Sequence, residues 1–241
     1  MSIRNSFTID GERVDFEPGQ SILQAALAAG VFIPHLCFHP EFSAHGSCKL
    51  CTVVVNGRNG SACTIAAMPG QEVRSDTPEL NQRRRMLLQM LFVEGNHFCP
   101  GCEKSGNCKL QAMAYELEMF NDHFQHFFPD RGPVDASHPE VMLDRNRCIQ
   151  CELCVRASRD IDGKEVFSLA GRGPASHLVV NAASGLLGDT PFAATDKAAE
   201  VCPVGAIMVK RVGFTAPIGR RKYDGASIRD QIEHPAPAQE G

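Results

Sequence analysis

Eleven cysteines fall into three tight groups, and their spacing constrains this chain more than any other feature. They read Cys37-x10-Cys48-x2-Cys51-x11-Cys63, then Cys99-x2-Cys102-x5-Cys108, then Cys148-x2-Cys151-x2-Cys154 with Cys202-Pro203 downstream. An odd number cannot pair completely as disulfides, and structural cysteines are usually scattered rather than bunched in short loops. Bunched thiols point to metal. Four thiolates suit a [2Fe–2S] cluster, two per iron, and a cubane [4Fe–4S] cluster wants one ligand on each of its irons.

The first group supplies a complete quartet. Gly46 and Ser47 precede Cys48, where small residues let backbone N–H groups approach cluster sulfurs. His35, His39 and His45 lie nearby and could replace thiolates as in a Rieske site, but Cys37, Cys48, Cys51 and Cys63 already complete the set. The second group has only three thiolates. His97, in Gly95-Asn96-His97-Phe98-Cys99, is the expected fourth ligand, with a carboxylate, water or a partner chain as alternatives. In the third group a tight triplet can cap three corners of a cubane and the distant Cys-Pro the fourth. The two-cluster ferredoxin run would place a further cysteine where Ser158 stands, and no CxxC precedes Cys202, so one cluster is expected there. Eleven cysteines and His97 thus make twelve ligands for one [2Fe–2S] and two [4Fe–4S] clusters.

Two other readings stay open to metal analysis. Structural zinc sites use two separated ligand pairs, unlike the first group or the tight triplet. Cys99-Pro100-Gly101-Cys102 resembles a redox-active dithiol, but no βαβ pattern surrounds it. No dinucleotide-binding glycine loop, P-loop or hydrolase elbow is present, so substrate chemistry is expected in other chains.

The apolar fraction of 43% permits buried cores, and a net charge of −4 gives no electrostatic case for nucleic acid or an anionic membrane. Arg83-Arg84-Arg85 and Arg220-Arg221-Lys222 read as solvated faces or rim contacts. The longest apolar run, 22–36, is interrupted by Gln24, Gly30 and Pro34, whereas spanning a bilayer takes about 20 residues. Residues 1–16 carry no apolar signal core. No membrane insertion and a cytoplasmic location are the expectations.

The pattern predicts an α+β chain in four parts. Residues 1–76 read as a β-grasp-like [2Fe–2S] ferredoxin domain. It has a hairpin of strands 6–9 and 13–16 about Asp10-Gly11, and a helix from Ser21 through Ala29 stopped by Gly30. Strands follow at Thr52–Val55, around Cys63, and at Glu72–Arg74. Residues 77–134 read as a small helical domain for the His/Cys-ligated [4Fe–4S] cluster. One helix there is capped by Asp76 or Thr77 and runs to Val93. A second runs from about Leu110 to His126, with Leu110, Met113, Leu117 and Phe120 as its core stripe. Residues 128–133 are a linker candidate. Residues 135–212 read as a bacterial-ferredoxin-like [4Fe–4S] domain, and 213–241 as a tail that contacts a partner or stays mobile.

Taken together, the three cysteine groups with His97 resemble the N-terminal electron-transfer module shared by several enzymes. They are the largest peripheral-arm subunit of respiratory complex I, iron-only hydrogenases, NAD-dependent formate dehydrogenases and the small diaphorase subunit of NAD-reducing [NiFe] hydrogenases. The resemblance covers roughly residues 5–212. The other relatives continue into a large C-terminal domain, so a chain of 241 residues most resembles the diaphorase subunit, and residues 213–223 fit a tail of that kind. One position departs: much of the wider family carries histidine as H-x3-C, where this chain has Gly95, and His97 stands as H-x-C. The resemblance implies an electron relay in a hydrogen:NAD+ oxidoreductase. Its partners would be a flavin/NAD-binding diaphorase subunit and a [NiFe] hydrogenase small subunit, with FMN, NAD and Ni–Fe held only in those partners. Electrons would enter at the third group, pass the His97 group and leave toward the flavin. Formate oxidation or a complex I-like enzyme is the alternative setting.

Overall fold

A computed structural model describes residues 5–121 and 123–232. Residues 1–4 of the expected first domain, Asp122 in the expected second helix and residues 233–241 of the tail lie outside the described residues. The chain divides into two compact units, 5–87 with 228–232 and 88–227.

The first unit is built on a mixed five-stranded sheet. β1 (Ser6–Ile9) and β2 (Glu12–Asp15) form the hairpin, with Asp10 and Gly11 both at positive φ as a tight two-residue turn demands. α1 (Ile22–Ala28) starts at a capping box: Ser21 Oγ accepts from Gln24 N and Gln24 Oε1 accepts from Ser21 N. It ends in a Schellman turn on Gly30, whose N–H reaches Leu27 O while that of Val31 reaches Ala26 O. β3 (Thr52–Val55), β4 (Arg58–Ser61) and β5 (Glu72–Arg74) complete the order β2-β1-β5-β3-β4, with β1 and β5 parallel and the other pairs antiparallel. One face of α1 and the inward residues Phe7, Ile9, Val14, Val53 and Val73 form the core, and Cys51 and Cys63 belong to it. Cys63 is not on a strand. Thr64 N and Ile65 N both turn back to Ser61 O, so β4 ends two residues earlier and Cys63 rides in the turn.

α2 (Pro78–Val93) begins in the first unit and ends in the second. Thr77 Oγ1 accepts from Leu80 N at its start, and Pro78 occupies the first helical position, where its missing N–H costs nothing. Arg84 corrects the expectation of a solvated basic cluster, since it is only 2% exposed.

In the second unit, α3 (Lys109–Glu116) is shorter than the expected 110–126 helix. Glu118 adopts φ 54°, its N–H bonds Tyr115 O and that of Met119 bonds Ala114 O. This is the same Schellman closure as in α1, made without glycine, which is why composition did not signal it. Leu110, Met113 and Leu117 are buried as expected, but Phe120, beyond the stop, is 70% exposed. β6 (Val141–Leu143) pairs antiparallel with β9 (Ile207–Val209), and β7 (Phe167–Ala170) with β8 (His177–Val180). α4 (Leu153–Asp160) and α5 (Lys197–Glu200) pack on each other. Asp162 accepts from Lys197 N and Ala198 N and so caps α5, while Lys164 pairs with Asp196 at 2.6 Å. These contacts fix the chain entering Cys202 against the helix that carries Cys154. Ser158 is fully buried, and its Oγ accepts from Val166 N.

Candidate metal centres

The four cysteines of the first group close on one another through local backbone geometry. Gly46 takes φ 71°, a conformation that L side chains resist, and a Cβ there would press within 3.0 Å of Thr64 Cγ2 beside Cys63 Sγ. The loop that follows aims Cys48 N at Cys37 Sγ, 3.4 Å away. Cys51 Sγ and Cys63 Sγ are 3.4 Å apart. Hydrogen bonds from the Cys48 thiol, then from the backbone N–H groups of Cys48 and Ser47, hold Cys37 down at about 4 against the opposing effect of burial. Cys51 moves the other way, because it donates to Cys63 and is desolvated. The loop thus turns backbone N–H donors toward Cys37 Sγ, as cluster sulfurs require.

Arg84 reaches this loop from α2. Its Nε donates to Leu50 O at 3.0 Å and its Nη2 to Thr52 O at 2.9 Å, the two carbonyls flanking Cys51. Nη1 donates to Ser75 O and Asn81 Oδ1. Burial pulls the guanidinium down to about 10, which leaves it charged at neutral pH. His35 and His39 are engaged locally: His35 Nδ1 contacts Ile33 O at 2.8 Å, and His39 stacks on Phe42.

In the second group, Cys99 opens a 3₁₀ turn (Cys99–Gly101) and Cys108 is the N-cap residue of α3. Between them Gly106 at φ 77° folds the loop back so that its N–H meets Gln111 Oε1. Residues 221–223 are fastened to this loop. Tyr223 N donates to Gly106 O, Lys222 N to Asn107 Oδ1 and Arg221 Nη1 to Ser105 Oγ. His97 stands edge-on to Phe92 with ring centroids 5.6 Å apart. Its Nε2 is the buried side-chain nitrogen or oxygen that lacks a hydrogen-bond partner among the described residues. Burial, then the charges of Arg147 and Arg131, hold the imidazole at about 4, so it is neutral with a lone pair available. Gly95 makes this possible: a Cβ at that position would overlap His97 Nε2 and Cδ2. The space that a side chain at 95 would take is the space the imidazole fills. Burial pushes the Cys108 thiol up to about 12 and raises that of Cys99.

The third group lines a single pocket. Cys148, Cys151, Cys154 and Cys202 surround it together with apolar Ile149, Leu178, Val204 and Ile207. Gln150 and Glu152 both take positive φ, at 53° and 57°, which winds the Cys-x2-Cys-x2-Cys run into a cup. Neither is a glycine, and spacing alone did not disclose them. Gln150 N points at Cys148 Sγ from 3.4 Å. Burial drives Cys148 up to about 11 and Cys154 well above the ordinary thiol value. Such sulfurs stay protonated at neutral pH until a metal displaces the proton.

All eleven cysteines are outside any disulfide. Among the described residues, no three His, Cys, Asp or Glu side chains converge as the ligands of one ion would. A cluster differs, because its thiolates are spread over two or four irons. The donor chemistry, the orphaned His97 Nε2, the cup around the third group and the N–H groups aimed at sulfur all fit such groups.

Three family models match in series: a 2Fe-2S iron-sulfur cluster binding domain over 4–78, the NADH-ubiquinone oxidoreductase-G iron-sulfur binding region over 84–123 and a 4Fe-4S single cluster domain over 141–209. The chain thus consists of an N-terminal 2Fe-2S ferredoxin domain, a middle iron–sulfur binding region and a C-terminal 4Fe-4S domain. It is 43% identical over 230 residues, 95% of its length and 96% of the relative's, to the NAD-reducing hydrogenase HoxS subunit gamma of Cupriavidus necator. The 78 kDa subunit of mitochondrial NADH-ubiquinone oxidoreductase from Candida albicans is 32% identical over 93% of this chain, which spans only 31% of that protein. A chain in a crystal structure of an NAD+-reducing [NiFe]-hydrogenase in the H2-reduced state superposes with a TM-score of 0.90 at 56% identity, covering 93% of this chain and 95% of the other.

Proposed function

Since the chain belongs to the family of the NAD-reducing hydrogenase gamma subunit, we propose that it relays electrons between a [NiFe] hydrogenase module and a flavin-bearing subunit that exchanges them with NAD(H). Cys37, Cys48, Cys51 and Cys63 hold one [2Fe–2S] cluster. His97, Cys99, Cys102 and Cys108 hold one [4Fe–4S] cluster, and Cys148, Cys151, Cys154 and Cys202 hold a second. When bound, these groups supply one-electron redox steps without a proton or substrate site. The chain's own residues do the rest. Ser47, Cys48 and Gln150 offer backbone N–H groups to sulfur, Arg84 clamps the carbonyls beside Cys51, and apolar walls keep water from the third pocket.

The observation that carries this reading is the buried, unpartnered His97 Nε2, two residues along the chain from Cys99 in a group with only three thiols. It supplies the twelfth donor and makes every quartet complete. Two partners follow, the flavin/NAD-binding diaphorase subunit and the hydrogenase small subunit. The test is to purify the chain with whatever binds it, identify those subunits and assay H2-dependent NAD+ reduction. Iron and acid-labile sulfide should each reach about ten per chain, two from one cluster and four from each cubane. Absence of a hydrogenase subunit, or a colourless chain after anaerobic reconstitution, refutes the proposal.

A further inference from the structure

Arg147 leaves the backbone one residue before Cys148, yet its charge is delivered to the other quartet of the second unit. Nη1 lies 3.6 Å from Cys102 Sγ in hydrogen-bonding geometry and 3.0 Å from Glu103 Oε2. Nε is held by Asp144 Oδ2 at 2.9 Å. Asp144 is itself fixed, because its Oδ1 accepts from Asn146 N at the start of the 3₁₀ turn Arg145–Arg147. The guanidinium side chain is 20% exposed, so water screens it only in part.

The same place brings the third group's other loop against the second group. Lys109 N, next to Cys108, donates to Pro203 O, next to Cys202, at 2.8 Å. A Cβ on Gly205 would lie 3.0 Å from Cys102 Sγ. The absence of a side chain at 205 lets the Cys202 loop approach this sulfur. Cys102 Sγ therefore lies between a permanent cation and the backbone of the Cys202 loop.

We propose that Arg147 is a positioning residue that sets the reduction potential of the site held by Cys102, making it easier to reduce. The inference rests on the assignment of His97, Cys99, Cys102 and Cys108 to one cluster. One electron arriving at that site adds one unit of negative charge. The guanidinium keeps its proton throughout, so no proton moves with the electron. A fixed positive charge and an N–H donor to sulfur both favour the more negative state, which raises the potential. Glu103 opposes it from 3.0 Å and moderates the effect.

The experiment is a dye-mediated redox titration, followed by EPR, of the full chain loaded with its clusters. The relevant site is the one whose signal changes in His97→Cys. Arg147→Gln should lower that midpoint, with about a tenfold change in its reduction equilibrium, or about 59 mV for one electron. The [2Fe–2S] midpoint should stay where it was. Glu103→Gln should move the same midpoint upward, and this variant decides the matter if Arg147→Gln fails to hold its clusters. An unmoved midpoint in either variant, with the cluster present, overturns the role of Arg147. A wild-type chain that binds no iron or sulfide at the second quartet instead refutes the cluster assignment beneath it.

Discussion

Replacing Arg84 by Met tests whether a single buried cation organises the Cys51 loop. The side chain donates to the carbonyls of Leu50, Ser75 and Thr52 and to Asn81 Oδ1, and it is only 2% exposed. Hydrogen bonds from a charged donor contribute about 1.5–3 kcal/mol each, and stripping a buried carbonyl costs about 1–3 kcal/mol. Three backbone carbonyls are stripped together, for a gross loss of about 3–9 kcal/mol. Methionine fills much of the space and removes the cost of burying a guanidinium, which is itself several kcal/mol, so the net loss falls near the lower end, about 3 kcal/mol. For a domain of this size each kcal/mol moves Tm by about 4–8 °C, so the first unit should melt about 12–24 °C lower. The assay is calorimetry of the full chain, read with the visible circular dichroism of the [2Fe–2S] site. That site should be lost from the variant before either cubane is. Arg84→Lys, which keeps the charge but not the planar fork, should fall between. A Met variant that melts within about 4 °C of the parent would show that the carbonyls beside Cys51 find other donors, and the reasoning would fail.

Three further outcomes are expected. His97→Ala should remove or alter one cubane's EPR signal and leave the other two clusters intact, and three unchanged spectra would remove His97 from the ligand set. Gly95→Ala should reproduce that phenotype without touching a donor, since its Cβ overlaps the imidazole; a normal spectrum would mean the ring has another way in. Hydrogen bonding from Arg221 holds Asp224 well below the usual carboxylate range, so the anchoring it provides is present above its ordinary value near 3.8 and is lost only as pH falls through the lower folded value. Asp224→Asn should therefore speed tryptic cleavage at Arg221 and Lys222 at neutral pH, while acidifying the parent to about pH 5 should not; equal cleavage of variant and parent would place the anchor elsewhere.

The cysteine spacing was enough to read three metal-binding regions and their order, because ligands in short loops must be close in sequence to be close in space. Strands at Ser6–Ile9, Thr52–Val55 and Glu72–Arg74, and the helix opened by Ser21 and closed by Gly30, were also readable, since caps and two-residue turns are local chemistry. What lay beyond the sequence had non-local or non-glycine causes. The left-handed residues Glu118, Gln150 and Glu152 stop a helix and wind the third cysteine loop with side chains that carry no turn signature. Arg84 looked like one of three surface arginines until the fold placed carbonyls from two other segments around it. Gly95 read as a missing histidine, and only the packed loop reveals it as the room His97 needs. Local spacing marks the candidate donors, whereas the environment around them comes from residues far along the chain, and tertiary packing alone brings those together.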